Sequence, residues 1–215
     1  MKNLNISNKT ILIYRVIFAA LSWFTIITSI TIYAFNPSPG VPWYGCFNVF
    51  KSLTYQTNLI VTIWLTLAIV WHNKPESIKK FLRPLKGAFT IYISLTLVLY
   101  ALLLQIYSTA TGFGAFINVV LHYITPIAFI IDWVLTETEL RYKWNYLAYW
   151  IIYPICYLAF TFIHGTFTGD YIYSSVLDIN KLGILGYFMV ISLLILIFII
   201  LGSLYIVVNR RRTQD

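Results

Sequence analysis

Six long apolar runs limit what this chain can fold into. They lie at roughly 10–34, 49–71, 86–107, 114–135, 144–163 and 182–208, and each is long enough to cross a hydrocarbon layer of about 30 Å at about 1.5 Å per residue. Backbone groups in hydrocarbon must bond one another, which leaves only helices or closed barrels. The runs are continuous rather than alternating, which argues against a barrel. The expected fold class is therefore all-α: a polytopic membrane protein, one domain over 1–215, built as a single six-helix transmembrane bundle. Composition agrees. The chain is 60% hydrophobic and 10% charged, whereas soluble domains carry about 25% charged residues.

The connecting pieces are short and polar or rich in proline and glycine: FNPSPGVPWYGC at 35–46, HNKPESIKKFLRPLK at 72–86, STATGF at 108–113, TETELRYK at 136–143 and HGTFTGDYIYSSVLDINK at 164–181. With the N-terminus inside, the cytoplasmic set of cations is Lys2, Lys9, Arg15, Lys74, Lys79, Lys80, Arg83, Lys86, Arg141, Lys143, Arg210, Arg211 and Arg212, against Lys51 and Lys181 outside. This asymmetry predicts both termini in the cytoplasm and an even number of spans, in the cell membrane. It also accounts for the net charge of +8 without a nucleic-acid partner, for which no binding motif is present. The apolar part of the N-terminal segment continues to about Ala34, so it reads as a first span rather than a cleaved leader. Tryptophans and tyrosines such as Trp43, Tyr44, Trp71, Trp133, Tyr142 and Trp144 fall near the predicted interfaces, as an aromatic belt does.

Unpaired polar side chains are costly in hydrocarbon, so those inside the runs carry the information. On the second run Thr54, Asn58 and Thr62 share one helical face, with Lys51 a turn outside. On the fourth, Asn118, His122 and Thr125 share a face, and Pro126 predicts a bend beside the histidine. Counted inward from the outer boundary, Thr54 and His122 fall in one layer, roughly 8–12 Å down. Asp132 lies about 15 Å further along, too far to serve His122.

Two readings follow. Thr54, Asn58, Asn118 and His122 are interhelical hydrogen-bond glue, or His122 is a base that activates the Thr54 hydroxyl as a nucleophile. His164 and Asp170 in the last outer loop are candidates for a cavity mouth. Two cysteines, Cys46 and Cys156, stand too differently along the chain to suggest a bridge and are too few for a cysteine zinc site. Three histidines at three heights predict no shared metal. No cofactor motif appears, no G-x-S-x-G elbow suggests a soluble-type lipase, and too few charges lie in the slab for a coupled ion pump.

The blocks LTYQTNL (53–59), LHYITPIAFIIDW (121–133) and YPICYLAFTFIHGTFTGDYIY (153–173), with the LD at 177–178, resemble the bacterial Pr6Pr family of small integral membrane proteins. That family is distantly similar to the androgen-induced gene 1 and androgen-dependent TFPI-regulating proteins, six-helix hydrolases of fatty acid esters. The resemblance implies a threonine nucleophile after a K-x-L pattern, matched by Lys51, Leu53 and Thr54, and a histidine on the fourth helix, matched by His122. Thr57 is the alternate nucleophile. Lys51, Asn58 and Asn118 are candidate donors to a developing oxyanion or supports for the pair. The implied partners are membrane lipids and an amphiphilic ester substrate. The competing expectation is a non-enzymatic membrane module that binds or moves a small amphiphile through the same polar stripe.

Overall fold

The structure, a computed structural model, describes residues 7–36, 43–73 and 76–213, with the backbone alone described at 43–44 and 76–83. Lys2, Lys74, the loop at 37–42 and the side chains of Trp43, Tyr44, Lys79, Lys80 and Arg83 lie outside the described part. Among the described residues, six apolar helical segments are long enough to span a membrane: Asn8–Phe35, Leu53–Val70, Pro84–Tyr107, Gly112–Thr136, Tyr146–Thr168 and Ile179–Arg212. The chain is an all-α, multi-pass membrane protein. It divides into two compact units, Met1–Leu140 and Arg141–Asp215.

The first unit holds four spans. Helix α1 (Asn8–Phe35) starts at Ser7, whose hydroxyl accepts from the Thr10 amide, and so satisfies one of the amides a helix start leaves open. A 3-10 helix (Trp43–Lys51) then leads into α2 (Leu53–Val70), capped by the Ser52 hydroxyl on the Tyr55 amide. The predicted second helix begins at 49; the structure starts it at Leu53, because Ser52 supplies the cap and Gln56 Nε2 turns back to the Phe50 carbonyl at 2.8 Å. Helix α3 (Glu76–Leu99) begins within the basic stretch expected to be a loop. It continues as a π turn at Tyr100–Leu104 and a 3-10 turn at Gln105–Tyr107.

The fourth span comprises α4 (Gly112–Val119), a π turn at Val120–Ile124 and α5 (Thr125–Thr136). Bonded and stacked pairs fix directions. Trp64 of α2 meets Phe129 of α5 edge-on, with ring centroids 5.4 Å apart, and Thr54, ten residues earlier on α2, meets His122, so the second and fourth spans are parallel. Thr57 of α2 bonds Thr96 of α3 while Trp64 lies under Lys86, so those two are antiparallel. Ala19, Val61, Trp64, Leu65, Ile93 and Phe129 form one core cluster between all four spans. Ile26, Ile117 and Leu121 form a second, with Phe50 of the 3-10 helix packed on it.

At the far end from His122 lies a buried ionic cluster. Asp132, 1% exposed, takes Arg15 Nε at 2.7 Å and Lys86 Nζ at 2.8 Å. Both cations also donate to Thr136 Oγ1, and both stand over the Trp64 ring. Arg15 and Lys86, counted from sequence among cytoplasmic boundary charges, are thus built into the bundle and tie α1, α3 and α5 together.

The second unit holds α6 (Tyr146–Trp150), α7 (Ile152–Thr168) and α8 (Ile179–Arg212). A break at Ile151 separates α6 from α7; Pro154 has no N–H for the Trp150 carbonyl. Helix α7 runs past the predicted end at 163. Gly165 allows this, because a Cβ there would lie 2.3 Å from Tyr171 Cδ1. The helix stops at Gly169, in the left-handed region at φ 72, a conformation glycine adopts without strain. Asp178 caps α8 through the Asn180 amide, and Gly183, at φ 68, kinks it.

Candidate functional site

Most buried hydroxyls in the first unit are absorbed by their own helices. Thr62 bonds the Asn58 carbonyl, Thr66 the Thr62 carbonyl, Thr90 the Lys86 carbonyl and Ser94 the Thr90 carbonyl, the usual fate of threonine and serine inside a helix. Thr54, in the first turn of α2, reaches across to another span: its hydroxyl meets His122 Nε2 at 3.2 Å. Thr54 is 5% exposed.

The other ring nitrogen fixes the proton. His122 Nδ1 lies 2.9 Å from the Asn118 carbonyl, which can only accept. Nδ1 therefore carries the hydrogen in the neutral ring, Nε2 presents its lone pair, and the Thr54 O–H donates to it. That is the tautomer a general base needs on this side of the ring. The imidazole is also held face-on by Tyr100, at 3.7 Å between centroids and 21° between planes. Tyr100 accepts in turn from Asn118 Nδ2, which also donates to Ser108 Oγ at 3.0 Å.

Both stacked rings sit in π turns, Tyr100 at the start of one and His122 in the middle of the other. Such turns occur mostly where a side chain must be placed off the α-helical register. Around His122 the turn is pinned from two sides: Thr125 meets Ser22 of α1 at 3.0 Å, and Asn58 of α2 donates to the Leu121 carbonyl at 2.9 Å. A buried carbonyl left unbonded costs about 1–3 kcal/mol, so the Asn58 bond is a substantial part of what keeps this register.

The remaining sequence candidates take other places. Thr57, fully buried, turns towards α3 and meets Thr96 Oγ1 at 2.9 Å, while the His122 Nε2 contact goes to Thr54. Asn58 Nδ2 donates to the Thr54 and Leu121 carbonyls at 2.8 and 2.9 Å. Both amide groups, Asn58 and Asn118, thus have their hydrogens committed and brace the pair rather than offering donors beside it. Lys51 is half-buried at the end of the 3-10 helix, one residue before the Ser52 cap. His164 and Asp170 belong to the second unit, where His164 Nδ1 meets the Asp170 carbonyl at 2.9 Å and the Thr168 hydroxyl meets the Asp170 amide at 3.1 Å; together they close the end of α7. Asp132 serves Arg15 and Lys86, not His122. Cys46 is a buried and Cys156 an exposed free thiol. Among the described residues no three His, Cys, Asp or Glu side chains are grouped to hold a metal ion.

Tyr100 is the site residue that sequence reasoning missed as a specific position. One tyrosine among seventeen carries no mark of its own; its role comes from the π turn that brings its ring over His122. The π turn at His122 had a signal in Pro126, read from sequence only as a bend.

Helices and polar layers of this kind define a membrane-embedded helical protein that presents long apolar faces to lipid. Comparison with protein-family models, curated proteins and solved structures finds no match to the chain.

Proposed function

We propose that this protein is an intramembrane hydrolase of lipid esters, with Thr54 as nucleophile and His122 as base. The observation that carries the reading is the 3.2 Å contact from the Thr54 hydroxyl to His122 Nε2, on a ring whose other nitrogen is committed to the Asn118 carbonyl. The resemblance to Pr6Pr proteins supports the same pair and suggests fatty acid esters as the substrate class. With both termini in the cytoplasm, the pair lies beneath the opposite membrane face.

The chemistry runs in two halves. His122 Nε2 takes the Thr54 proton as Oγ1 attacks the ester carbonyl. The tetrahedral adduct collapses, the alkoxide leaves, and the imidazolium returns the proton to it. Water then attacks the acyl-threonine, again losing a proton to His122; collapse releases the fatty acid, and the Thr54 oxygen is reprotonated. Nδ1–H donates to a neutral carbonyl rather than a carboxylate, so the imidazolium is stabilised less than in an aspartate-supported triad, and a modest rate is expected. The donors proposed for the oxyanion are Lys51, in the turn before Thr54, and the positive end of the α2 dipole at Thr54.

Amphiphile binding without turnover is the second reading. It is favoured by the commitment of the Asn58 and Asn118 amide hydrogens inside the bundle, which withdraws two of the oxyanion donors expected from sequence. One experiment separates the two. Purified protein in detergent is assayed on medium-chain fatty acid esters beside Thr54→Ala and His122→Ala, and an alkyl phosphonate probe is mapped by mass spectrometry. The hydrolase reading expects both variants to lose at least about 100-fold in kcat, with the probe on Thr54. Ester turnover by Thr54→Ala at the unsubstituted rate rules out the covalent scheme, and binding with no turnover by the unsubstituted protein selects the second reading.

A further inference from the structure

The fourth span changes register beside His122, and two residues outside the reacting pair meet at that turn. In the π turn the Thr125 amide bonds the Val120 carbonyl, five residues back. In that register the next carbonyl, that of Leu121, falls to residue 126. Pro126 has no N–H to give. The carbonyl instead receives Asn58 Nδ2 from α2 at 2.9 Å, and the same nitrogen donates to the Thr54 carbonyl at 2.8 Å. One NH2 group thus joins the residue preceding His122 to the residue bearing the hydroxyl. Asn58 is fully buried, and its Oδ1 has no hydrogen-bond partner. Turning the amide over would set that oxygen against two carbonyl oxygens, so its orientation is imposed by the two backbone acceptors.

We infer that Asn58 and Pro126 form one positioning device: by withholding an amide the proline leaves the Leu121 carbonyl of the π turn without a donor from its own span, and Asn58 takes that carbonyl together with that of Thr54, which sets the His122 ring opposite the Thr54 hydroxyl. The catalytic consequence rests on the hydrolase reading; the positioning itself does not. Both residues act through His122 and are positioning residues.

The test uses Asn58→Leu, Pro126→Ala and the double variant in the full-length protein. Asn58→Ala, with the same expectations, replaces the leucine variant should that one fail to fold. Kinetically, Asn58→Leu should lower kcat about 100-fold, the scale of a misplacement near 1 Å, and leave KM within about threefold. In the double variant residue 126 regains an N–H for the Leu121 carbonyl, so kcat should recover at least about tenfold over Asn58→Leu. An Asn58→Leu protein with unchanged kcat, or losses that simply multiply in the double variant, overturns the proposal. A second readout needs no turnover. In 15N-histidine-labelled protein, with His72 and His164 assigned by substitution, Thr54→Val should shift the His122 Nε2 resonance. That response should vanish in the Asn58→Leu background and return in the double variant. A response that persists in Asn58→Leu shows that the pair meets without this device and sinks it. An inert unsubstituted protein that shows the expected resonance pattern removes the hydrolase reading and retains the positioning.

Discussion

Replacing Asp132 by asparagine tests the buried charges of the first unit. The side chain keeps its shape and loses its charge, while Arg15 Nε at 2.7 Å and Lys86 Nζ at 2.8 Å stay where they are. At an effective dielectric of about 20, each pair attracts by about 6 kcal/mol. Part of that offsets the cost of bringing three charges out of water, so the net loss on stranding the cations should be about 3–5 kcal/mol. Lys86 is 3% exposed and cannot withdraw to water. Adding Lys86→Met removes the stranded cation and should return about 1–3 kcal/mol. The assay is reversible unfolding in mixed micelles, followed by tryptophan emission. Trp64 reports locally, since the Lys86 and Arg15 charges lie 4.7 and 5.3 Å from its ring centre. A double variant less stable than Asp132→Asn, by the cost of Lys86→Met alone, would refute the charge-balance reasoning.

Two further outcomes follow from the geometry. Thr57→Val breaks only the bonds to Thr96 and the Thr54 carbonyl; it should cost under about 2 kcal/mol and leave ester turnover intact, and loss of turnover comparable to Thr54→Ala would make Thr57 the nucleophile. Gly165→Ala puts a Cβ 2.3 Å from the Tyr171 ring and should destabilise the second unit by about 1–3 kcal/mol, read as a lowered melting temperature that Tyr171→Ala in the same chain partly restores.

Periodicity carried a good deal of this site. The face Thr54, Asn58, Thr62 is buried as its spacing requires, at 5, 0 and 0% exposure, because a four-residue step returns to the same side of a helix. Counting depth along two separate helices also placed Thr54 and His122 in one layer. What periodicity could not supply was lateral neighbourhood and bond direction. From sequence Asn58 and Asn118 are either interhelical glue and supports for the pair or donors to an oxyanion; in the bundle their hydrogens are taken up by the Thr54 and Leu121 carbonyls and by Tyr100 and Ser108. Ser52 and Gln56 serve the join between the 3-10 helix and α2.

By itself the sequence determined that the chain is an all-α, multi-pass membrane protein with helices long enough to span, since apolar length and unbroken hydrophobicity leave a backbone in hydrocarbon no other way to bond. It determined too which faces turn inward, because polar groups are expelled from lipid by their own desolvation cost. Only the tertiary structure decided that Tyr100 lies over His122, that Arg15 and Lys86 share Asp132, and that the histidine's free nitrogen meets Thr54. Those pairings depend on rotation about each helix axis and on the two π turns. Both are set by carbonyls and side chains from neighbouring spans, a sum of many contacts that no single stretch of the chain contains.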